Sequence, residues 1–264
     1  MTEIGASSGP RRIALPSGRG AVVLAWGVAT DVGHRRQVNE DSLVAAPPIF
    51  AVADGMGGHA AGDLASDAVV TRLGAVSNDG FVTPAAIGLA LAQASHDIAH
   101  LEGTSLTGAG TTVTGMALTV SGDDPYFAVF NVGDSRVYRS HDDEFEQVTV
   151  DHSVVQELVD AGAITREQAE HHPDSNVITR AIGFNEPPMP DYWMMPVEPG
   201  LRLIACSDGL SKELDEERIR ALVTAGSPAE ATAQALVHAA LQSGGRDNVT
   251  VVVVDVIEVE PAEG

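Results

Sequence analysis

A chain of 264 residues with 44% hydrophobic side chains can bury a large core, as one large domain or two small ones. Its 15 Lys and Arg against 37 Asp and Glu give a formal charge of −22, which repels nucleic acid and anionic membrane. The single Cys206 excludes an internal disulfide, no Cys/His spacing suits zinc, and no run reaches the ~18 apolar residues of a membrane span, so the expected setting is the reducing cytoplasm.

Residues 1–20 are rich in Gly, Ser, Pro and Arg, have little to bury and lack a cationic segment followed by an apolar signal core. They read as a flexible leader, followed by a domain over 21–258 and a tail over 259–264. Residues 21–30 read as a first strand, and 41–46 and 49–54 as two more joined by a Pro-Pro turn. The period then changes: 59–76 and 84–101 are Ala-rich with apolar residues at helical spacing, the second opened by Thr83 as cap and Pro84 in the first turn. Strand character returns at 111–120, 126–132 and 136–140, with the hairpin dipeptide Gly133-Asp134 between the last two. From 151 to 183 the chain turns polar and His-containing, with short helices near 153–161 and 166–170, and reads as an insertion over a sheet edge. A strand at 201–207, helices at 215–223 and 228–242, and a β-branched strand at 249–256 complete the pattern. Strands in blocks separated by helix pairs, without regular alternation, predict an α+β fold with a mixed or antiparallel sheet structure flanked by helices.

Two apolar runs, IFAVADG (49–55) and LRLIACSDG (201–209), end on Asp-Gly, and Asp247 stands just ahead of a third, in GGRDNVTVVVV (244–254). One Asp-Gly alone is most often a turn. Three buried strands that each deliver a carboxylate at an end are a way to build a metal site, with glycine letting the backbone close on a ligand. Glu40, Asp41, Asp54, Asp134, Asp208 and Asp247 all fall at predicted strand ends or turns. Carboxylates, carbonyls and water suit the hard ions Mg²⁺ and Mn²⁺. Two such ions sharing a carboxylate can acidify water and polarise a phosphoryl oxygen.

In order along the chain, RRQVNEDS (35–42), VADGMGGH (52–59), GTT (110–112), VGDSRVYR (132–139), DHS (151–153), NVITRAIG (176–183), CSDGLS (206–211) and GGRDNVTVV (244–252) closely resemble the bacterial PP2C-type, or PPM-family, metal-dependent Ser/Thr protein phosphatases. Eight ordered blocks over about residues 22–257 are far more specific than any one of them. The resemblance implies a two-sheet antiparallel β-sandwich with helix pairs on both outer faces and a metal centre in a cleft at one end. It implies that Asp54 bridges two ions, Asp208 and Asp247 complete the first, and the Gly55 carbonyl binds the second. It gives Glu40 and Asp41 roles through metal-bound waters, Asp134 a weaker third ion, and Arg36 the substrate phosphate. It makes 151–183 a mobile flap beside the cleft. Met56 departs from many eukaryotic relatives, which carry a histidine there as proposed general acid, and Lys212 stands where some relatives carry an acid near the third metal.

The implied activity is hydrolysis of phosphoserine and phosphothreonine on proteins, opposing Ser/Thr kinases, by a monomer. A partner-switching phosphatase for one phosphorylated regulator and a non-catalytic phosphoprotein-binding relative are the alternatives. A Cys-dependent phosphatase needs an arginine six residues past its nucleophile, but Lys212 stands there and Cys206 lies inside an apolar strand, which favours an inert thiol. His59 reads more readily as a loop anchor than as a proton donor, and His152, His171 and His172 as structural or substrate-edge residues. The glycines at 55, 57 and 58 form neither a P-loop nor a dinucleotide fingerprint and read as close backbone approach to metals.

Overall fold

The computed structural model describes residues 1–16, 18, 20–57, 61–76, 80–100, 109–184 and 189–260. The chain opens with β1 (Glu3–Gly5), β2 (Ser8–Ala14), β3 (Ala21–Asp31), β4 (Asp41–Ala46) and β5 (Ile49–Met56), then turns to α1 (Ala61–Ala75) and α2 (Pro84–Ala99). A second strand run follows: β6 (Gly110–Thr111), β7 (Val113–Ser121), β8 (Asp124–Val132), β9 (Arg136–His141) and β10 (Glu144–Gln147). The polar segment carries α3 (Val154–Asp160) and α4 (Arg166–Glu170). After it come β11 (Asp191–Pro196), β12 (Arg202–Cys206), α5 (Asp208–Ser211), α6 (Glu216–Val223), α7 (Ala229–Ser243) and β13 (Val249–Glu260).

These strands form two sheets, one ordered β1-β4-β5-β7-β8-β11 with β6 beside β5, the other β10-β9-β12-β13-β3-β2. Every pairing is antiparallel except β1 with β4. The period of two in each strand sorts the core into layers. Leu43, Phe50, Val52, Met116 and Phe127 of the first sheet meet Leu24, Trp26, Leu203, Val252 and Val254 of the second. The alternate residues Val44, Ala51 and Ala53 face α1 and α2, while Ile204, Val251 and Val253 face α6 and α7. A strand buried on both faces has no polar side, which is why 251–254 is four valines running. The result is the expected sandwich with a helix pair on each outer face. Thr83 caps α2, its hydroxyl accepting the Ala86 N–H at 3.2 Å, as the Thr-Pro dipeptide predicts.

The expected leader is corrected. Residues 3–14 form two strands: β1 lies parallel to β4 and β2 antiparallel to β3, so the first residues extend both sheets. Their side chains are mostly exposed, which is why hydrophobicity hides them. Their hold is hydrogen bonding: Trp26 Nε1 donates to the Ala6 carbonyl at 2.8 Å, and Thr2 Oγ1 to Asp67 at 2.6 Å. Deleting residues 1–14 is expected to lower the melting temperature by about 5–10 °C, at roughly 2–4 °C per kcal/mol for a chain of this size. A thermal melt of the truncated protein checks this, and an unchanged midpoint would refute it. At the other end β13 continues to Glu260, opposite Ala21, so 259–260 belong to the sheet, while 261–264 of the expected tail lie outside the described residues.

Candidate metal centre

Antiparallel pairing brings distant sequence positions to one end of the sandwich. Asp41 opens β4 directly opposite Asp54 in β5. Val249, just after Asp247, pairs with Asp31 at the end of β3, while Cys206, two residues before Asp208, ends β12. Asp134 lies in the turn from β8 to β9, and Arg36 and Glu40 in the loop from β3 to β4.

The backbone around Asp54 is braced by blocks far away in sequence. Its N–H donates to Thr112 Oγ1 at 3.2 Å, and its carbonyl accepts the Thr112 N–H and the Thr111 hydroxyl, both at 2.9 Å. Thr112 and Ser135 hydroxyls meet at 2.8 Å, tying the Asp134 turn to the same brace. Both Asp-Gly glycines are dictated by backbone meeting backbone. A Cβ on Gly55 would lie 2.1 Å from the Gly62 carbonyl oxygen, and one on Gly209 would lie 1.9 Å from that of Asn248. Asn248 also clamps the loop before β4: its Oδ1 accepts the Glu40 N–H at 2.8 Å, and its Nδ2 donates to the carbonyls of Val32 and Val38. Thr111, Thr112, Ser207, Asn248 and Thr250 stand inside the motif blocks, but small polar side chains carry no chemical signature that marks them as braces.

The acids disturb one another. Asp41 is buried, and its Oδ2 accepts the Thr250 hydroxyl at 2.7 Å and the Ser207 hydroxyl at 2.9 Å. Its Oδ1 is buried without a hydrogen-bond partner, as is Oδ1 of Asp63, a neighbour of Glu40 that the sequence reading passed over. Burial pushes the Asp41 carboxyl up to about 7, against the pull of those two hydroxyls and with repulsion from Asp208 and Asp247. Asp54 keeps some solvent contact yet is enclosed by protein, and burial first, then Asp41, Asp208, Asp134 and Asp247, hold its carboxyl well above the ordinary range. Asp134 is pushed up to about 7 by burial and Asp208, opposed by Lys212. Glu40 is raised by burial, opposed by Arg36 and helped by Asp63 and Asp247. Such a cluster keeps its charge at low cost only beside cations.

Two cations of the chain already stand among these acids. Arg36 Nη2 bonds Asp247 Oδ2 at 2.7 Å, and Lys212 Nζ bonds Asp208 Oδ2 and lies 3.8 Å from Asp134 Oδ2. Among the described residues no three Asp, Glu, His or Cys side chains take up metal-holding geometry, and Asp208 and Asp247 bond Lys212 and Arg36. The donor types still fit a hard divalent ion: they are oxygens throughout, and the buried Asp41 Oδ1 is an acceptor without a donor.

The remaining candidates fall away from the chemistry. Cys206 is fully buried, and burial pushes its thiol up to about 12, which leaves it inert. The Gly133 N–H donates to His152 Nδ1 at 3.1 Å, so Nε2 carries the proton toward Asp191 Oδ2 at 3.0 Å, and the ring supports the Asp134 turn. His171 caps α4, and His172 Nδ1 accepts the Asp174 N–H at 3.2 Å. Gly58 and His59 lie outside the described residues.

The family pattern of Protein phosphatase 2C matches residues 32–243. Serine/threonine protein phosphatase PstP of Mycobacterium tuberculosis is 39% identical over 245 residues, 91% of this chain but 46% of that protein, so the chain spans about half that relative's length. Protein phosphatase PhpP of Streptococcus pneumoniae is 36% identical over 247 residues, covering 89% of this chain and 98% of that one. A crystal structure of the M. tuberculosis phosphatase PstP/Ppp superposes with a TM-score of 0.81 at 38% identity, covering 89% of this chain and 99% of that one. A structure of the catalytic domain of PstP in complex with two manganese ions superposes with a TM-score of 0.77 at 35% identity, again over 89% and 99%. With the family pattern spanning most of its length and relatives this similar over nearly the whole sandwich, the chain belongs to the protein phosphatase 2C family.

Proposed function

We propose that this protein is a metal-dependent phosphatase that hydrolyses phosphoserine and phosphothreonine monoesters on proteins. The observation that carries the reading is the set of mutually repelling carboxylates at one end of the sandwich, where Asp54 feels Asp41, Asp134, Asp208 and Asp247 at once. Asp54 would bridge two Mn²⁺ or Mg²⁺ ions, Asp208 and Asp247 would complete one, and the Gly55 carbonyl would serve the other. Glu40 and Asp41 would act through coordinated waters. When bound, such ions supply Lewis acidity that activates water and offsets phosphoryl charge.

The chain's own part is positioning. Ser207 and Thr250 fix the Asp41 carboxylate, and Thr111 and Thr112 fix the backbone that presents Asp54. Arg36 is half exposed, so a phosphate arriving from solvent can reach its guanidinium, whose planar fork pairs two oxygens. Its bond to Asp247 holds it at the cleft until then. Met56 offers no proton, so the leaving oxygen is protonated by water or by a residue other than this one. The setting in which we place it is the cytoplasm, as a monomer opposing Ser/Thr kinases. The reduced, buried Cys206 and the charge of −22 support that reading, and no helix among the described residues is long and apolar enough to cross a membrane.

Purified protein is expected to release phosphate from a phosphothreonine peptide with Mn²⁺ and to stop on chelation. Arg36→Ala should raise KM for the peptide about 10–100-fold, the loss of a charge-assisted bidentate contact, and Arg36→Lys should recover little of it because an ammonium is not a fork. Folded protein inert toward every phosphopeptide would mark a binding module. Fast action on one phosphorylated regulator alone would mark a partner-switching phosphatase.

A further inference from the structure

Lys212, the residue that caps the C-terminus of the short α5, is the fourth after Asp208, and its ammonium turns back onto that carboxylate. Its side chain is 36% exposed, against 14% for Asp208 and 10% for Asp134, so the carboxylates are the more enclosed partners. The ammonium bonds Asp208 Oδ2, lies 3.8 Å from Asp134 Oδ2, and feels Asp54. One ammonium beside a buried and a half-buried carboxylate offsets half of their charge and screens the repulsion between them. A lysine side chain carries this charge at all times near neutral pH, whereas a divalent ion carries it only when bound.

Resting on the reading of the centre as a two-ion site, we infer that Lys212 is a resident cation for the Asp134–Asp208 pair, which excludes a third divalent ion and limits this chain to two. Asp134 then serves as the second anchor of Lys212 rather than as a ligand. The ammonium cannot share that space with a divalent ion, since two like charges at van der Waals distance between the same carboxylates repel strongly.

The test is Mn²⁺ stoichiometry, followed by titration calorimetry and by the electron paramagnetic resonance signal of free Mn²⁺, with no assay of turnover. Wild type is expected to saturate at two ions. Lys212→Met, which keeps the length of the chain without its charge, should take up a third ion at least about tenfold more tightly than wild type does. Lys212→Asp should hold it tighter still, and adding Asp134→Ala to either variant should return the count to two. A wild type that saturates at three ions, or variants that stay at two, would overturn the inference while leaving the two-ion phosphatase intact. A wild type that binds no Mn²⁺ would overturn both. Melting in chelator gives an independent reading: Lys212→Met should melt below wild type, because Asp134 and Asp208 then face each other without a cation, and an equal midpoint would count against the inference.

Discussion

Asp54→Asn is expected to lose phosphate release by about a thousandfold or more, roughly 4 kcal/mol of transition-state stabilisation, and at the same time to melt higher than wild type in chelator. The two effects have one origin. Asp54 is enclosed by protein and repelled by Asp41, Asp208, Asp134 and Asp247. Asparagine mimics the protonated acid in shape but has no charge for those neighbours to repel, so the metal-free fold is relieved of a cost it otherwise carries. The same residue lacks the anionic oxygens that would bridge two ions. Kinetics with Mn²⁺ and a melt in chelator measure the two halves on the same preparation. A variant that loses activity because it is misfolded would melt lower, and one that keeps activity would remove Asp54 from the centre.

Without Mn²⁺ the fold should lose stability as pH rises, and the stabilisation that Mn²⁺ adds should grow. Asp41 and Asp134 have an ordinary carboxyl value of 3.8 and are held in the folded protein at about 7. Between those values the folded state keeps protons that the unfolded chain has released, so each step up in pH favours unfolding. That contribution is fully present below about pH 4 and is lost as pH rises through about 7, at about 1.4 kcal/mol for each unit of raised value. Metal binding in the centre is favoured when Asp41 and Asp54 are ionised, so its stabilisation grows as they lose their protons. Melting midpoints in chelator should therefore fall from about pH 5 to about pH 8, and the rise produced by saturating Mn²⁺ should be several times larger at the higher pH. An equal Mn²⁺ shift at both would mean that Asp41 and Asp54 do not take part.

Much of the sandwich is legible from local pattern. Residues 41–46 and 249–256 read as strands because β-branched and apolar side chains there are buried on both faces, and Thr83-Pro84 marks a helix start that the structure keeps. What escapes is held by backbone bonds rather than by side-chain burial. β1 and β2 expose most of their side chains, and β11 pairs along β8 from Asp191 to Pro196 with a Met-rich, half-exposed sequence that shows no alternation. At the centre, the acids could be named from their places at strand ends. Their partners could not: an Asp and a Lys four apart look like an ordinary solvated pair, and the nearness of Lys212 to Asp134, 78 residues earlier, comes from the tertiary fold. Gly55 and Gly209 make room for other backbone, at Gly62 and Asn248, neighbours that no local pattern names.

The strand that begins the chain settles a practical matter for anyone handling this protein. Met1 sits against Thr30 and Asn39, next to the loop that carries Arg36 and Glu40, whereas Glu260 pairs with Ala21 at the far end of β3, roughly 30 Å away along an 11-residue strand. A bulky group attached at Met1 would therefore lie beside the loop that carries Arg36 and Glu40. A group attached at Glu260 would lie at the other end of β3, away from that loop.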